Sequence, residues 1–177
     1  MEYTFTAVEI QEIQKHVAKY PDHHSAIMPA LWIAQEKFGW LSAEAIKLVA
    51  DTLDVPYAKV YGVATFYTMY LKQDCPPNLI EVCTCFTCGE CGGKERMSFL
   101  KEYLETNEKG RSADGQFWIR EAECLGACDT APVGQVSNRR FVHNLTDEKL
   151  KSTIAKIRNG ETLSFEVIPM NDQTPLG

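Results

Sequence analysis

The 177-residue sequence predicts an α/β protein of the α+β kind, in which an N-terminal helical bundle is followed by a small mixed sheet with helices packed on it. Three observations support this prediction. Apolar residues recur at helical intervals over roughly the first 70 positions, two prolines then interrupt the pattern, and short apolar strands alternate with helices beyond them. We therefore expect two domains, residues 1–75 and residues 76–177.

The first two helices are predicted from their end signals. Thr6 and Glu9 have the spacing of a capping box, so a first helix is expected near residues 7–19. Ser25 is expected to cap a second helix, which Gly39 is placed to close. Together with the two helices that follow, they form the predicted bundle.

The third and fourth helices are also predicted from caps. Ser42 is expected to open the third, and Asp54, with Pro56 just behind it, the fourth. The segment Asp74-Cys75-Pro76-Pro77-Asn78 then breaks the pattern, because two prolines remove hydrogen-bond donors and fix φ. We place the domain boundary there.

The second domain is predicted to have the order β-α-β-β-α. The last two strands are expected to form a hairpin, and the final helix opens at Thr146 and stops at Gly160. The predicted elements are a strand over 79–82, a helix near 93–106, strands over 117–120, 133–136 and 140–143, and a helix over 146–158. The tail from about Phe165 carries too little pattern for an assignment.

Composition and charge exclude several function classes. The formal net charge is -6 and the pI about 5.3, so we expect no nucleic-acid partner. The sequence has no apolar run of about 20 residues and no signal-like N-terminus, so we expect a cytoplasmic protein without direct membrane insertion. Seven cysteines in that compartment favour metal or redox chemistry over disulfides.

Four of the cysteines form two pairs at the ends of predicted strands. Cys83 and Cys88 follow the first strand, and Cys124 and Cys128 follow a later one. Four thiolates in two local pairs suit a 2Fe-2S cluster, which binds two sulfurs at each iron. Cys75, isolated in the proline-rich segment, is interpreted as a small buried hydrophobe. Nearby glycines remove side chains from turns that pass close to such a cluster: Gly89, Gly92, Gly93 and Gly126.

Two alternatives use other pairs of cysteines. Either Cys85 with Cys88, or Cys88 with Cys91, has the CxxC spacing of a thioredoxin-type dithiol, which leaves Cys124 and Cys128 unexplained. In the second alternative, one of these CxxC pairs and the later CxxxC pair bind structural zinc through four thiolates. Spacing alone does not exclude zinc.

A third alternative is a plant-type 2Fe-2S cluster. Cys83, Cys88 and Cys91 match the C-x4-C-x2-C spacing of that class, with Cys124 as the distant fourth ligand. This arrangement leaves Cys128 without a role. The helix-rich pattern also offers too few strands for the plant-type fold.

Several of these stretches together resemble one family. Cys83-x4-Cys88 followed by Gly92, and Cys124-Leu125-Gly126-Ala127-Cys128 followed by Ala131-Pro132, are similar to the thioredoxin-like 2Fe-2S ferredoxins. Within them the sequence resembles the E subunits of bacterial NADH-quinone oxidoreductase, complex I. The segments Val60-Tyr61-Gly62 and Val63-Ala64-Thr65-Phe66-Tyr67 resemble the helical extension of those proteins. The likeness covers roughly residues 5–160.

The resemblance implies a thioredoxin-like domain that binds one 2Fe-2S cluster through Cys83, Cys88, Cys124 and Cys128. It implies that the N-terminal domain docks on the neighbouring flavoprotein, the F subunit of that complex, among other peripheral-arm subunits, and that FMN and NADH bind to that neighbour. The sequence accordingly contains no G-x-G-x-x-G loop. Cys85 and Cys91 are extra thiols beside these ligands, and either could substitute in the cluster or be modified.

Three function classes follow. The first is an electron-transfer subunit of NADH-quinone oxidoreductase without a complete active site of its own, or the same module in an NAD-linked hydrogenase or formate dehydrogenase. The second is a thiol-disulfide oxidoreductase, and the third is a zinc-binding adaptor. Aromatic residues of the N-terminal domain are expected to form core or a partner surface: Trp32, Trp40, Phe66, Tyr67 and Tyr70.

Overall fold

A computed structural model describes residues 3–164, and the chain divides into two compact units, Met1–Cys75 and Pro76–Gly177. The tail from Phe165 lies outside the described residues. Across residues 3–164, every helix is too short or too polar to cross a bilayer.

The first unit is a bundle of four α-helices whose apolar faces meet in one core. The predicted capping box is confirmed: the Thr6 hydroxyl accepts from the Glu9 N–H, and the Glu9 carboxylate accepts from the Thr6 N–H at 2.6 Å. Ser42 caps the third helix as predicted. The helices are α1 (Ala7–Val17), α2 (Ile27–Phe38), α3 (Ala43–Leu53) and α4 (Tyr57–Phe66).

Two predicted caps were wrong. Ser25 lies inside a short 3₁₀ turn, His23–Ala26, which Asp22 caps: its carboxylate accepts from the His24 N–H at 2.8 Å. The chain passes from that turn directly into α2. Asp54 ends α3 instead of opening α4, because it adopts a left-handed conformation with φ of 53°. Pro56 then precedes the first turn of α4.

The core of the first unit fixes the segment that follows α4. The Tyr70 ring is buried, and its hydroxyl donates to the Met28 carbonyl at 2.9 Å. The buried amide of Gln35 on α2 donates to the Met69 carbonyl at 3.1 Å and accepts from the Leu71 N–H at 2.6 Å. These bonds satisfy backbone groups in the segment where helical hydrogen bonding has ended.

Over its described residues, the second unit follows the predicted order, with one additional α-helix and a short 3₁₀ turn, Cys128–Thr130. A five-residue helix, Phe86–Glu90, lies directly after the first strand and was not predicted. The hairpin and the final helix are confirmed, the helix with Thr146 as its N-cap. The elements are β1 (Asn78–Cys83), α5 (Phe86–Glu90), α6 (Gly93–Tyr103), β2 (Phe117–Ala122), β3 (Gly134–Val136), β4 (Arg140–Val142) and α7 (Asp147–Arg158).

The strands form one mixed sheet in the order β2-β1-β3-β4. β1 and β2 are parallel and in register from Asn78 opposite Phe117 to Cys83 opposite Ala122. β3 and β4 are antiparallel to their neighbours. One face of the sheet packs on α6 and α7 in a single apolar core: Ile80, Val82, Met97, Leu100, Leu104, Phe117, Ile119, Val136, Val142, Leu145, Leu150 and Ile154. The carboxyl ends of β1 and β2 therefore lie side by side at one edge.

Candidate metal centre

Both cysteine pairs leave the sheet at this edge. Cys83 is the last residue of β1, and Cys124 lies two residues beyond the end of β2. The Thr84 N–H donates to the Ala122 carbonyl at 3.2 Å, which extends the pairing of the two strands by one bond into the first loop. The parallel register thus places the start of both loops next to each other.

The first pair is buried. Cys83 is 1% exposed and Cys88, inside α5, is 2% exposed. Val133, just before β3, contacts both residues: its carbonyl accepts from the Cys83 N–H at 2.9 Å, and its own N–H donates to the Cys88 sulfur. One backbone residue therefore fixes the positions of both buried cysteines.

Gly93 allows the backbone to close around this pair. A Cβ at this position would lie 2.5 Å from the Cys83 carbonyl oxygen and 2.7 Å from the Cys88 carbonyl oxygen. Because both neighbouring atoms belong to the backbone, they cannot rotate away. The absence of a side chain on Gly93 is what lets α6 begin directly beneath the two cysteines.

The second pair is exposed. The sulfurs of Cys124 and Cys128 lie 3.5 Å apart, and both residues are open to solvent. Gly126 turns the loop between them with φ of 78°. Thr130 closes a 3₁₀ turn that begins at Cys128, where its N–H and its hydroxyl both donate to the Ala127 carbonyl, at 3.2 and 3.1 Å.

The loop that carries the second pair packs against the first pair. Leu125 and Ala127, from the second loop, pack against Cys83 and Cys88 of the first. Cys128 is also close enough for a negative charge on its sulfur to raise the pKa of Cys88. The structure therefore brings all four predicted residues into one region.

The pKa values of two of these thiols show that the site disfavours negative charge in the absence of metal. Burial raises the pKa of Cys88 to about 11, with smaller contributions from Cys83 and Cys128. Hydrogen bonding to Cys124, and its charge, raise the pKa of Cys128. With their pKa values raised, Cys88 and Cys128 hold their protons unless positive charge is placed among the thiols. Metal ions supply that charge and bind the thiolates directly.

The remaining cysteines lie around the site or away from it. Cys85 is half-buried before α5 and packs against the buried pair, whereas Cys91 is exposed after α5. Cys75 is half-buried at the end of the first unit. Over residues 3–164, no three His, Cys, Asp or Glu side chains are close enough together to hold a single metal ion.

A buried charged residue, Glu81, lies two residues before Cys83. Its side chain is buried, and one carboxylate oxygen accepts from Arg120 Nε and Nη2, each at 2.7 Å. The ring of Trp118 lies 5.2 Å from the same guanidinium group. Arg120 balances the charge that Glu81 would otherwise place beneath the site.

The residues present fit a 2Fe-2S cluster. Thiolates are the ligands that such clusters prefer, and the two local pairs supply two sulfurs for each iron. Gly93 removes a side chain beneath the first pair, and the N–H of Val133 reaches the Cys88 sulfur, as expected if that sulfur binds a cluster of net negative charge.

Comparison with known proteins agrees with this fit. Residues 13–158 match the model of the family described as thioredoxin-like [2Fe-2S] ferredoxin. The chain belongs to this family. Membership in this ferredoxin family sets aside the plant-type alternative, because the two classes differ in fold.

Two relatives of this ferredoxin are named as parts of NADH-quinone oxidoreductase. The E subunit of Rickettsia bellii is 39% identical over 160 residues, which cover 89% of this chain and 95% of the relative. The E 2 subunit of Rhizobium meliloti is 35% identical over 154 residues, covering 87% and 91%. A crystal structure of an NAD⁺-reducing [NiFe]-hydrogenase matches 82% of this chain and 23% of its own with a TM-score of 0.60 and 19% identity, which shows a shared fold.

Sequence reasoning missed two contributors to the site. Val133 acts through its backbone, so its residue type gives no signal. The Thr87 side chain is close enough to Cys128 in the other loop to offset part of the rise in the pKa of that thiol. Its position directly before Cys88 was the available signal.

Proposed function

We propose that this chain is the electron-transfer subunit of an NADH-quinone oxidoreductase and carries one 2Fe-2S cluster on Cys83, Cys88, Cys124 and Cys128. A bound 2Fe-2S cluster accepts and releases one electron at a time. The observation that carries the proposal is the convergence of a buried and an exposed cysteine pair at one sheet edge, in a chain whose relatives at 35–39% identity are named as E subunits of that enzyme.

The four cysteines hold the cluster, and neighbouring residues control its surroundings. Cys83 and Cys88 anchor one side away from water, and Val133 neutralises part of the sulfur charge there. Cys124 and Cys128 face outward, which leaves an exposed side for electron exchange with a partner. No side chain has to act as acid, base or nucleophile in such a transfer.

A thiol-disulfide oxidoreductase fits the geometry less well. The attacking thiol of such an enzyme is accessible and has a lowered pKa. In the Cys88–Cys91 pair, Cys88 is buried and its pKa is raised to about 11. This first thiol would be almost fully protonated at neutral pH.

We further propose that the first unit docks through α4 on the NADH- and FMN-binding flavoprotein, the F subunit of the complex. This helix is apolar around most of its circumference, with Lys59 as its one charged residue, although only Val60 and Ala64 are buried. Such helices are normally covered on all sides. Its outer surface presents Tyr57 stacked on Tyr61 at 5.8 Å.

The exposed aromatic surface continues past the end of α4. Phe66 is 77% exposed and contacts Tyr67 edge-on at 5.0 Å. Aromatic residues of this kind are enriched at protein interfaces. In this arrangement the flavin and NADH lie on the partner, and the chain resides at the cytoplasmic side of the inner membrane among other peripheral-arm subunits.

The same module in an NAD-linked hydrogenase or formate dehydrogenase is the alternative within this class. The relatives named as E subunits align over nearly their whole length at 35–39% identity, whereas the hydrogenase likeness at 19% identity concerns the fold. These observations favour quinone as the final acceptor.

Metal analysis tests the cluster directly. Anaerobically purified protein is expected to be red-brown and to contain about two iron and two acid-labile sulfide per chain. Colourless protein with one zinc per chain would contradict the proposal and favour the zinc-binding adaptor.

Serine variants test the ligand assignment. Cys124→Ser and Cys128→Ser are expected to lose or strongly alter the visible spectrum. Cys91→Ser is the matched control, because Cys91 is exposed like Cys124 and Cys128 but is not assigned as a ligand. An altered spectrum in Cys91→Ser with an unchanged one in Cys128→Ser would refute the assignment.

Co-purification tests the docking surface. Phe66→Asp and Tyr61→Glu are expected to abolish recovery of the chain with the FMN-binding flavoprotein while leaving cluster content unchanged. Val8→Glu is the control, because Val8 is also an exposed apolar residue but lies on α1. Undiminished recovery of both α4 variants would exclude this helix as the docking surface.

A further inference from the structure

Gly62 lies exposed in the middle of α4, where the described residues give no reason for a glycine. Within residues 3–164, six glycines have a left-handed φ, and Gly89, Gly93 and Gly134 would each place a Cβ within 3.2 Å of a backbone oxygen. Gly62 is helical, and a Cβ built on it would meet no atom within 4 Å. Because glycine weakens a helix interior relative to alanine, this residue lowers the stability of α4 without improving its packing.

The missing side chain leaves a notch in an aromatic surface. Gly62 and Phe66 are four positions apart and lie on one row of the helix surface, and Tyr57 and Tyr61 form the row beside it. The two tyrosine rings stack at 5.8 Å, and Phe66 is 77% exposed. The Thr65 hydroxyl donates to the Tyr61 carbonyl at 2.9 Å, so it is turned back to its own helix. The notch is thus the gap at Gly62 between Tyr61 and Phe66.

The charge around the notch differs from that of the rest of the chain. The formal net charge is -6, yet residues 55–73 contain no Asp or Glu. Lys72 of this stretch is used internally, since its ammonium group donates to the Tyr70 carbonyl at 3.1 Å. Lys59, three positions before Gly62, is exposed and forms no ion pair within the described part of the chain. The notch therefore has an available positive charge beside it.

We propose that an α-helix of the partner flavoprotein crosses α4 at Gly62, with a side chain seated in the notch and a carboxylate facing Lys59. The inference rests on the proposed function, because it concerns the same docking surface. A missing Cβ lets a second helix come close, and helices pack by placing the side-chain rows of one into the gaps between rows of the other. The rings of Tyr61 and Phe66 supply apolar contact on either side of the gap.

Two other occupants fit the notch less well. A β-strand adds to unpaired backbone groups at a sheet edge, whereas the backbone of α4 is hydrogen-bonded along the helix. A second copy of this chain would bring another α4, whose stretch over residues 55–73 has no carboxylate to face Lys59. Charge complementarity therefore favours a different chain that carries an acidic residue on its helix.

The proposal predicts opposite effects on the free chain and on the complex. Gly62→Ala is expected to raise the melting temperature of the free chain by about 2 °C, because alanine favours the helix. The same variant is expected to weaken binding to the flavoprotein about tenfold, and Gly62→Leu at least about a hundredfold, because each side chain fills the gap. A residue with a purely structural role would not change stability and affinity in opposite directions.

Calorimetric titration of the cluster-loaded full chain with the purified FMN-binding flavoprotein measures the dissociation constant. Lys59→Glu is expected to weaken binding about tenfold at low ionic strength and less at high salt. Ala43→Leu is the matched control, because Ala43 is also a small exposed residue in a helix but lies on α3. Its dissociation constant is expected to equal that of the wild type.

The outcomes separate the two proposals. Unchanged affinity in both Gly62 variants, with recovery still abolished by Phe66→Asp, would overturn this inference alone. A lowered melting temperature in Gly62→Ala would overturn it as well, because α4 itself would then require the glycine. Self-association of the wild-type chain that Gly62→Leu abolishes would assign the notch to a second copy and overturn the choice of partner. Wild-type protein that does not bind the flavoprotein would overturn the proposed docking and this inference together.

Discussion

The two cysteine pairs have similar spacings but opposite surroundings. Cys83 and Cys88 are almost fully buried, and neighbouring backbone bonds hold them in place. Cys124 and Cys128 are exposed on a loop whose Gly126 has open space around it. In the proposed cluster site, the fold therefore presets the buried side, and bound metal would complete the exposed side.

This arrangement has a physical cost on the buried side. A buried thiol loses hydration when it ionises, so the site favours neutral cysteines until metal arrives. The exposed pair keeps its hydration and its freedom to approach incoming iron. Four experiments sharpen or break this comparison.

Gly93→Ala is expected to have the largest effect, because its Cβ would overlap two backbone carbonyl oxygens beneath the buried pair. We expect a loss of about 3 kcal/mol or more in the free energy of unfolding, together with failure to retain iron. Urea titration of the metal-free variant measures the first effect. A decrease below about 1 kcal/mol would mean that the buried side is not preset.

Alkylation of metal-free protein at pH 8 compares the pairs directly. Burial raises the pKa of Cys88 from 9.0 to about 11. The fraction of Cys88 in the thiolate form is therefore about a hundredfold lower than in the unfolded chain. We expect iodoacetamide to label the exposed Cys124 before the buried Cys88, and to label Cys88 at least a hundredfold more slowly than in urea, as read by peptide mass spectrometry. Equal labelling rates at Cys88 and Cys124 would break the comparison.

The same pKa predicts how stability depends on pH. The folded-state pKa of Cys88 is raised, so the stability that its neutral form contributes is complete below pH 9 and is lost as pH rises from 9 through about 11. Over this pH range, the free energy of unfolding of the metal-free protein is expected to fall by about 2 kcal/mol more than that of metal-free Cys88→Ala. Using the difference between the two proteins removes the contribution of lysines and tyrosines. Parallel curves of unfolding free energy against pH for the two proteins would contradict the prediction.

Gly126→Ala is expected to have the smallest effect. A Cβ there meets no atom within 4 Å, so the φ of 78° is its one source of strain. We expect a loss of about 1 kcal/mol in the unfolding free energy and normal iron content. An effect as large as that of Gly93→Ala would show that the exposed loop is as constrained as the buried one.

Local signals in the sequence predicted much of the fold. The Thr6–Glu9 capping box, the Ser42 cap and the β3–β4 hairpin depend on residues close in the chain, and the structure confirms each. The N-caps predicted at Ser25 and Asp54 were wrong because both residue types also favour turns and helix ends. α5 was not predicted because its Cys and Gly residues form no apolar stripe.

The cysteine spacing predicted which thiols lie at strand ends but not how deeply each is buried. Burial of Cys83 and Cys88 depends on Val133 and Gly93, which come from other elements. The likeness to a known family supplied the ligand set, which remains a prediction. The proximity of Thr87 to Cys128 required the geometry of both loops.

The parallel pairing of β1 and β2 also determines where the molecule can be labelled. The turn directly before β2, residues 113–116, lies at the opposite edge of the sheet from the thiols. A six-residue strand spans about 20 Å, so a fluorophore on this turn would sit about that far from the iron while touching none of its ligands. Quenching of its emission would report cluster assembly in real time.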